Sequence, residues 1–160
     1  MTDVTTRTKL KKAIKNEWIQ TAIMLAIVLI AFFAFWFGIR FALATEYPLL
    51  AVASPSMVPT LNVGDLIVVH GVSNVSEIYT HPAIIDSQTG EILGAGDIII
   101  FHTYVPGGPN LRPGYPDELI VHRAINKTLT DGKLYFSIKG DNNQTPDFWH
   151  IPDYYIVGKV

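Results

Sequence analysis

The stretch WIQTAIMLAIVLIAFFAFWFGI, Trp18 to Ile39, runs for 22 residues without a charge. At about 1.5 Å per residue it forms a helix of about 33 Å, enough to cross a hydrocarbon core of about 30 Å. The competing use of such a run is a buried core helix, but a chain of 160 residues has too little mass to wrap one that long. The flanks orient the span. Arg7, Lys9, Lys11, Lys12 and Lys15 precede it against Asp3 and Glu17, whereas Arg40 and then Glu46 follow. The positive-inside rule places the N-terminus in the cytoplasm and everything from about residue 45 outside. Ala42 to Ala44 has the small-residue character of a signal cleavage site. Cleavable signals carry apolar regions of only about 7 to 15 residues, so an uncleaved anchor is expected. The chain is thus read as a basic cytoplasmic tail (1–17), a transmembrane anchor (18–40) and an extracytoplasmic domain (46–160).

Beyond the anchor the pattern is mainly β. The apolar runs 49–53, 66–69, 98–101, 119–125, 134–138 and 154–157 are of strand length and separated by Gly, Pro, Asn and Asp. No apolar period of 3.6 residues persists after residue 45. The expectation is a compact antiparallel β domain, a folded or barrel-like sheet, with at most short helical turns. Residues 73–96 read as a polar insertion with weak strand character. The Pro- and Gly-rich YVPGGPNLRPGYPDE, 104–118, reads as a solvated loop whose Tyr and Leu residues also suit contact with lipid headgroups.

Composition narrows the chemistry. The chain has no cysteine, which removes disulfides, thiol catalysis and Cys-based zinc sites. A net charge of −2 gives no electrostatic case for nucleic acid. Three glycosylation triplets begin at Asn74, Asn126 and Asn143, as an external domain allows.

In ASPSMVPTLNVGD, residues 53–65, Pro55 and Pro59 hold Ser54 and Ser56 on a stiff, non-helical backbone. That suits a turn as well as a nucleophile, and locally the turn is the commoner outcome. A serine hydroxyl also needs a base and a place for negative charge to develop. Of the five histidines, His70, His81, His102 and His150 lie at strand ends or in loops. His122 sits inside the apolar run LIVHRAI, where a satisfied core histidine is the bland alternative to a base. In KGDNNQTPD, 139–147, Asp141 and Asp147 are six apart, and Pro146 stands where a calcium loop requires glycine. They read as separate carboxylates, Asp141 bracing the turn and Asp147 reaching back to a partner, or else as two solvated acids in an Asx-turn loop.

Taken together, SPSMVPT, GDLIVV, GDIIIF, VHRAI and KGDNN with a later Asp, all in order after one anchor, resemble type I signal peptidase of the archaeal and endoplasmic-reticulum branch. The resemblance runs from the anchor to the end, with 73–96 and 104–118 as variable inserts. It implies a membrane-bound serine endopeptidase that removes signal peptides from preproteins at the outer membrane surface, working beside the secretion translocon and without a cofactor or metal. Ser56 matches the nucleophile, His122 the general base and Asp147 the acid that orients it. Asp141 matches a second required acid, and Ser54 an oxyanion-hole hydroxyl acting with the Ser56 N–H. Pro55 departs from the family, where glycine is common. The chain also stops at IVGKV where relatives continue, so an incomplete C-terminus is expected.

Ser56 follows Ile39 by only 17 residues (56 − 39), which ties it to the outer membrane face and to peptide bonds near it. An extended substrate can add as a strand along a sheet edge, with residues 49–53 the expected edge. Two rivals compete. One is a non-catalytic, membrane-anchored binding or assembly subunit. The other is a self-cleaving repressor-type protease, disfavoured by the anchor, the lack of a DNA-binding helix pair and the histidine at the base position. Lys139 is the nearest lysine should the base not be His122.

Overall fold

The computed structural model describes residues 16–85, 88 and 92–160. The basic cluster from Arg7 to Lys15, with Asp3, lies outside the described residues, as does part of the 73–96 insertion. The chain divides into two compact units, Met1–Ala42 and Leu43–Val160.

The described part of the first unit is one helix, α1, Glu17–Ala42, of 26 residues or about 39 Å. Asn16 starts it by accepting the Trp18 N–H on its side-chain oxygen at 3.1 Å. Glu17 in the first turn and Arg40 in the last complement the helix dipole. No residue of α1 is buried, although a soluble core helix of this composition would be. It is one helix long and apolar enough to span a bilayer, and it extends the expected anchor by one or two residues at each end.

The second unit is antiparallel β, as the pattern of short apolar runs implied. Strands β1 (Leu49–Ala51) and β2 (Leu66–Val68) pair as a small sheet, with Leu49 opposite Val68. Strands β3 (Ile84–Ile85) and β4 (Ile92–Gly94) form a second pair inside the 73–96 insertion. The main sheet takes β5 (Ile98–His102), β6 (Leu119–Thr130), β7 (Lys133–Lys139), β8 (His150–Pro152) and β9 (Ile156–Lys159) in the order β8-β7-β6-β5-β9. Its outermost strands are β8 and β9, and Lys159 of β9 bridges onward to His70, just past β2. After residue 45 the only described helical pieces are single 3-10 turns at Pro55–Met57, Val75–Glu77 and Asp153–Tyr155.

Strand β5 organises the core. Successive side chains point to opposite faces, so Ile99 and Phe101 pack with Ile78, Ala124, Phe136, Ile138, Ile151 and Tyr155. Ile100 turns the other way and packs with Val52, Ile67 and Val69. Burial on both faces explains an unbroken apolar run where a half-exposed strand would alternate. The β6–β7 hairpin closes through Asp131 and Gly132, with φ of 50° and 74°. Two consecutive left-handed residues suit a two-residue hairpin loop, for which Asp-Gly is a favoured pair.

The 104–118 segment is a loop without regular structure, held at both ends. The Tyr155 hydroxyl donates to Pro109 O at 2.5 Å. Asp117 accepts the Tyr104 N–H at 2.9 Å and meets His102 Nδ1 at 2.6 Å.

Candidate active site

The site begins with Met57, which is 1% exposed. Its side chain belongs to the core, so the 3-10 turn Pro55–Met57 is anchored there and the preceding Ser56 is left half-buried. Proline at the first turn position sets φ without losing a needed N–H. The turn's own hydrogen bond runs from the Val58 N–H to Pro55 O at 3.2 Å. The Ser56 N–H is therefore not spent within the turn.

His122 and Arg123 are neighbours on β6, and strand alternation sends them to opposite faces. His122 Nε2 lies 3.2 Å from Ser56 Oγ, and its Nδ1 lies 2.5 Å from Asp147 Oδ2. A carboxylate at Nδ1 fixes the tautomer: Nδ1–H donates to Asp147, and Nε2 keeps a lone pair toward the serine. The His122 and Asp147 side chains are only 10% and 12% exposed, which strengthens their pairing relative to water. Asp147 is brought back to β7 by its N–H, which donates to Ile138 O at 2.9 Å. Ser54 Oγ lies 3.1 Å from Ser56 Oγ.

Asp141 has the other task. Its Oδ1 accepts Arg123 Nε–H at 2.7 Å and its Oδ2 accepts Nη2–H at 2.5 Å, a bidentate pair. The Thr60 hydroxyl also donates to Oδ2, and Arg123 Nη1–H donates to Gly96 O at 2.6 Å. Asp141 thus braces the scaffold beneath the site and does not touch the imidazole. Of the two acids, Asp147 meets the histidine.

All five sequence-predicted site residues therefore fall in one neighbourhood: Ser54, Ser56, His122 and Asp147 are linked in series by the contacts above, and Asp141 pairs with Arg123, the residue after His122. The remaining histidines are elsewhere. His102 pairs with Asp117, His81 Nδ1 contacts Pro82 O, and His150 Nδ1 lies 3.3 Å from Ser137 Oγ. Among the described residues only His122 has a hydroxyl at one ring nitrogen and a carboxylate at the other. Lys139 Nζ reaches Gly140 O at 3.5 Å and makes no hydrogen bond to Ser56.

Sequence reasoning missed several contributors. Thr60 and Gly96 complete the Arg123–Asp141 network, and Thr60 was visible only as the end of SPSMVPT. Gly140 is required by close approach: a Cβ there would stand 2.6 Å from Ser56 O and 3.0 Å from His122 Nε2. Asn142 binds the serine turn from outside, as described below.

An open groove of about 620 Å³ runs past the site. Ala51 to Ser54 and Leu119 to Val121 line it together with Ser56, His122 and Asp147. Among the described residues each lining strand keeps one unpaired edge. There strand β1 pairs only with β2, and β6 pairs with β7 only from Arg123 onward, leaving Leu119 to His122 bonded on the β5 side alone. Asn143, the third glycosylation triplet's asparagine, also lines the groove. Among the described residues no cluster of metal-ligating side chains occurs. Comparison with protein-family models, curated proteins and solved structures finds no match to the chain.

Proposed function

We propose that this protein is a membrane-anchored serine endopeptidase of the signal-peptidase type, cutting signal peptides from preproteins at the outer membrane surface. The observation that carries the reading is the hydrogen-bonded series Ser56 Oγ, His122 Nε2, His122 Nδ1, Asp147 Oδ2, at 3.2 and 2.5 Å. Two further features support it. Two free strand edges flank a groove beside the hydroxyl, as an extended peptide requires. One apolar helix of membrane-spanning length precedes the domain by a short stretch of chain. The resemblance of the ordered sequence motifs points the same way, including to a signal-peptidase-like fold.

In this mechanism Ser56 Oγ attacks the scissile carbonyl carbon while its proton passes to His122 Nε2. Asp147 stabilises the imidazolium that forms. The carbonyl oxygen becomes an oxyanion, received by the Ser56 N–H and the Ser54 hydroxyl. Collapse breaks the C–N bond, and His122 gives its proton to the departing amine of the mature protein. The signal segment remains as an ester on Ser56. Water then attacks that ester with His122 as base, releasing a carboxylate and restoring the hydroxyl. The apolar groove wall and the alanines at 51 and 53 suit small residues beside the cut.

The test is cleavage of a preprotein bearing an Ala-x-Ala site by the full chain purified in detergent. Wild type is expected to cut once, and Ser56→Ala and His122→Ala to abolish cutting. Cleavage retained by Ser56→Ala would refute the proposal. Retained cleavage by His122→Ala alone would move the base to a lysine, with Lys139 first in line.

A further inference from the structure

The turn that follows β7 grips the serine turn with one residue twice. The Asn142 N–H donates to Ser56 O at 2.9 Å. The Asn142 side-chain Nδ2–H donates to Pro55 O at 3.1 Å, across 87 positions of sequence. The turn itself is closed by the Asn143 N–H donating to Gly140 O at 2.9 Å, and Gly140 lies against Ser56 O too closely to admit a side chain. Two consecutive peptide groups, 55–56 and 56–57, are therefore each held by their carbonyl oxygens.

Peptide planarity turns this grip into an orientation. In a trans peptide the C=O and the following N–H point in opposite directions, and cis geometry occurs elsewhere in the described chain, only at Val58–Pro59. Fixing Pro55 O toward Asn142 therefore aims the Ser56 N–H away from the 140–143 turn. That N–H is the backbone donor assigned above to the oxyanion. A one-turn 3-10 segment holds Pro55 O by a single weak internal bond. Asn142 supplies the second bond, from a different part of the chain.

We propose that Asn142 is a positioning residue whose side-chain amide locks the Pro55–Ser56 peptide in the orientation that makes the Ser56 N–H an oxyanion donor. The proposal rests on the serine-peptidase reading. The Asn142 hydrogen bonds go to the backbone of the serine turn and not to the Ser56 hydroxyl or to His122, so it acts through that turn. Preorganisation is the physical point. A donor already aimed where charge develops costs nothing to reorient during reaction, and losing one such donor altogether lowers kcat by about 10² to 10³. Loss of Asn142 leaves the Val58 bond in place, so a drop in kcat of about 10- to 100-fold is expected.

The experiment compares Asn142→Ala and Asn142→Asp with wild type and Ser56→Ala, as full chains in detergent on one peptide substrate. Asn142 is exposed, and Asn142→Asp keeps its shape and its backbone N–H while placing an acceptor against Pro55 O. Both variants are expected to lose kcat with KM within about twofold and an unchanged melting midpoint. A peptide aldehyde, which adds the Ser56 hydroxyl across its carbonyl and places oxygen in the oxyanion position, should bind more weakly by the factor lost in kcat. A non-cleavable peptide of the same sequence should bind unchanged. If Ser56→Ala still cleaves, the peptidase reading falls and this inference with it. If Ser56→Ala is dead but both Asn142 variants keep kcat within twofold, or if aldehyde and non-cleavable peptide weaken together, the positioning role alone is overturned.

Discussion

Removing the Asp141 carboxylate should destabilise this domain strongly. The Asp141 and Arg123 side chains are 2% and 5% exposed. In Asp141→Ala the guanidinium loses both bidentate bonds and keeps only Gly96 O and the Thr60 hydroxyl. A buried charge stripped of its partner costs about 3–5 kcal/mol, a large part of the roughly 5–15 kcal/mol that holds a domain together. The unit spans 118 residues (160 − 42). At about 4 °C per kcal/mol near that size, the melting midpoint should fall by about 12–20 °C. The informative partner is the double replacement Arg123→Met with Asp141→Leu, which removes the charge together with its counter-ion. It strands Gly96 O at about 1–3 kcal/mol and should therefore be more stable than Asp141→Ala. Thermal scanning of both proteins in detergent, with urea titration as a check, measures the difference. A midpoint for Asp141→Ala within about 2 °C of wild type, or a double variant as unstable as the single, would refute the claim that the ion pair is the buried brace of the site.

Asp147→Asn should behave oppositely: kcat for preprotein cleavage falls by about 10⁴ because the imidazole loses its tautomer lock, while the melting midpoint stays near wild type, and steady-state kinetics showing less than a tenfold loss would count against the triad. Asp117 carries a pH signature: burial pushes its carboxyl up, but the Tyr104 N–H, His102 and Thr103 outweigh this and hold it below the ordinary 3.8. A depressed native pKa contributes stability that is present above the unfolded value and lost as pH falls through the native one. The stability gap between wild type and Asp117→Asn should therefore be constant near pH 5 and shrink as pH falls below about 4, as urea titrations across acidic pH would reveal.

Much of the architecture was legible because it rests on local pattern. The charge-free run became α1, and the runs at 49, 66, 98, 119 and 134 each became a strand at nearly the expected place. The misses have local causes too. Strand β8 is three residues long and ends in Pro152 at a sheet edge, where a missing N–H is tolerated but a strand signal is weak. Strands β3 and β4 are shorter than any apolar window detects. Strand β6 continues to Thr130 through polar residues, because the hairpin with β7 supplies partners there that composition does not announce. The expected strand at 154–157 starts later, since Asp153–Tyr155 form a 3-10 turn that buries Tyr155.

The sequence by itself determined which groups the chain offers: one membrane-length helix, a serine on a proline-stiffened turn, a histidine inside an apolar strand and two acids after a glycine. It did not by itself bring them into contact. Asp147 meets His122 and Asp141 meets Arg123 because adjacent β6 side chains leave on opposite faces and the 140–147 excursion passes both. Asn142 reaches Pro55 because that same excursion folds back over a turn 87 residues earlier. Such pairings depend on strand register and on loop closure over long separations, and these exist only once the sheet has assembled.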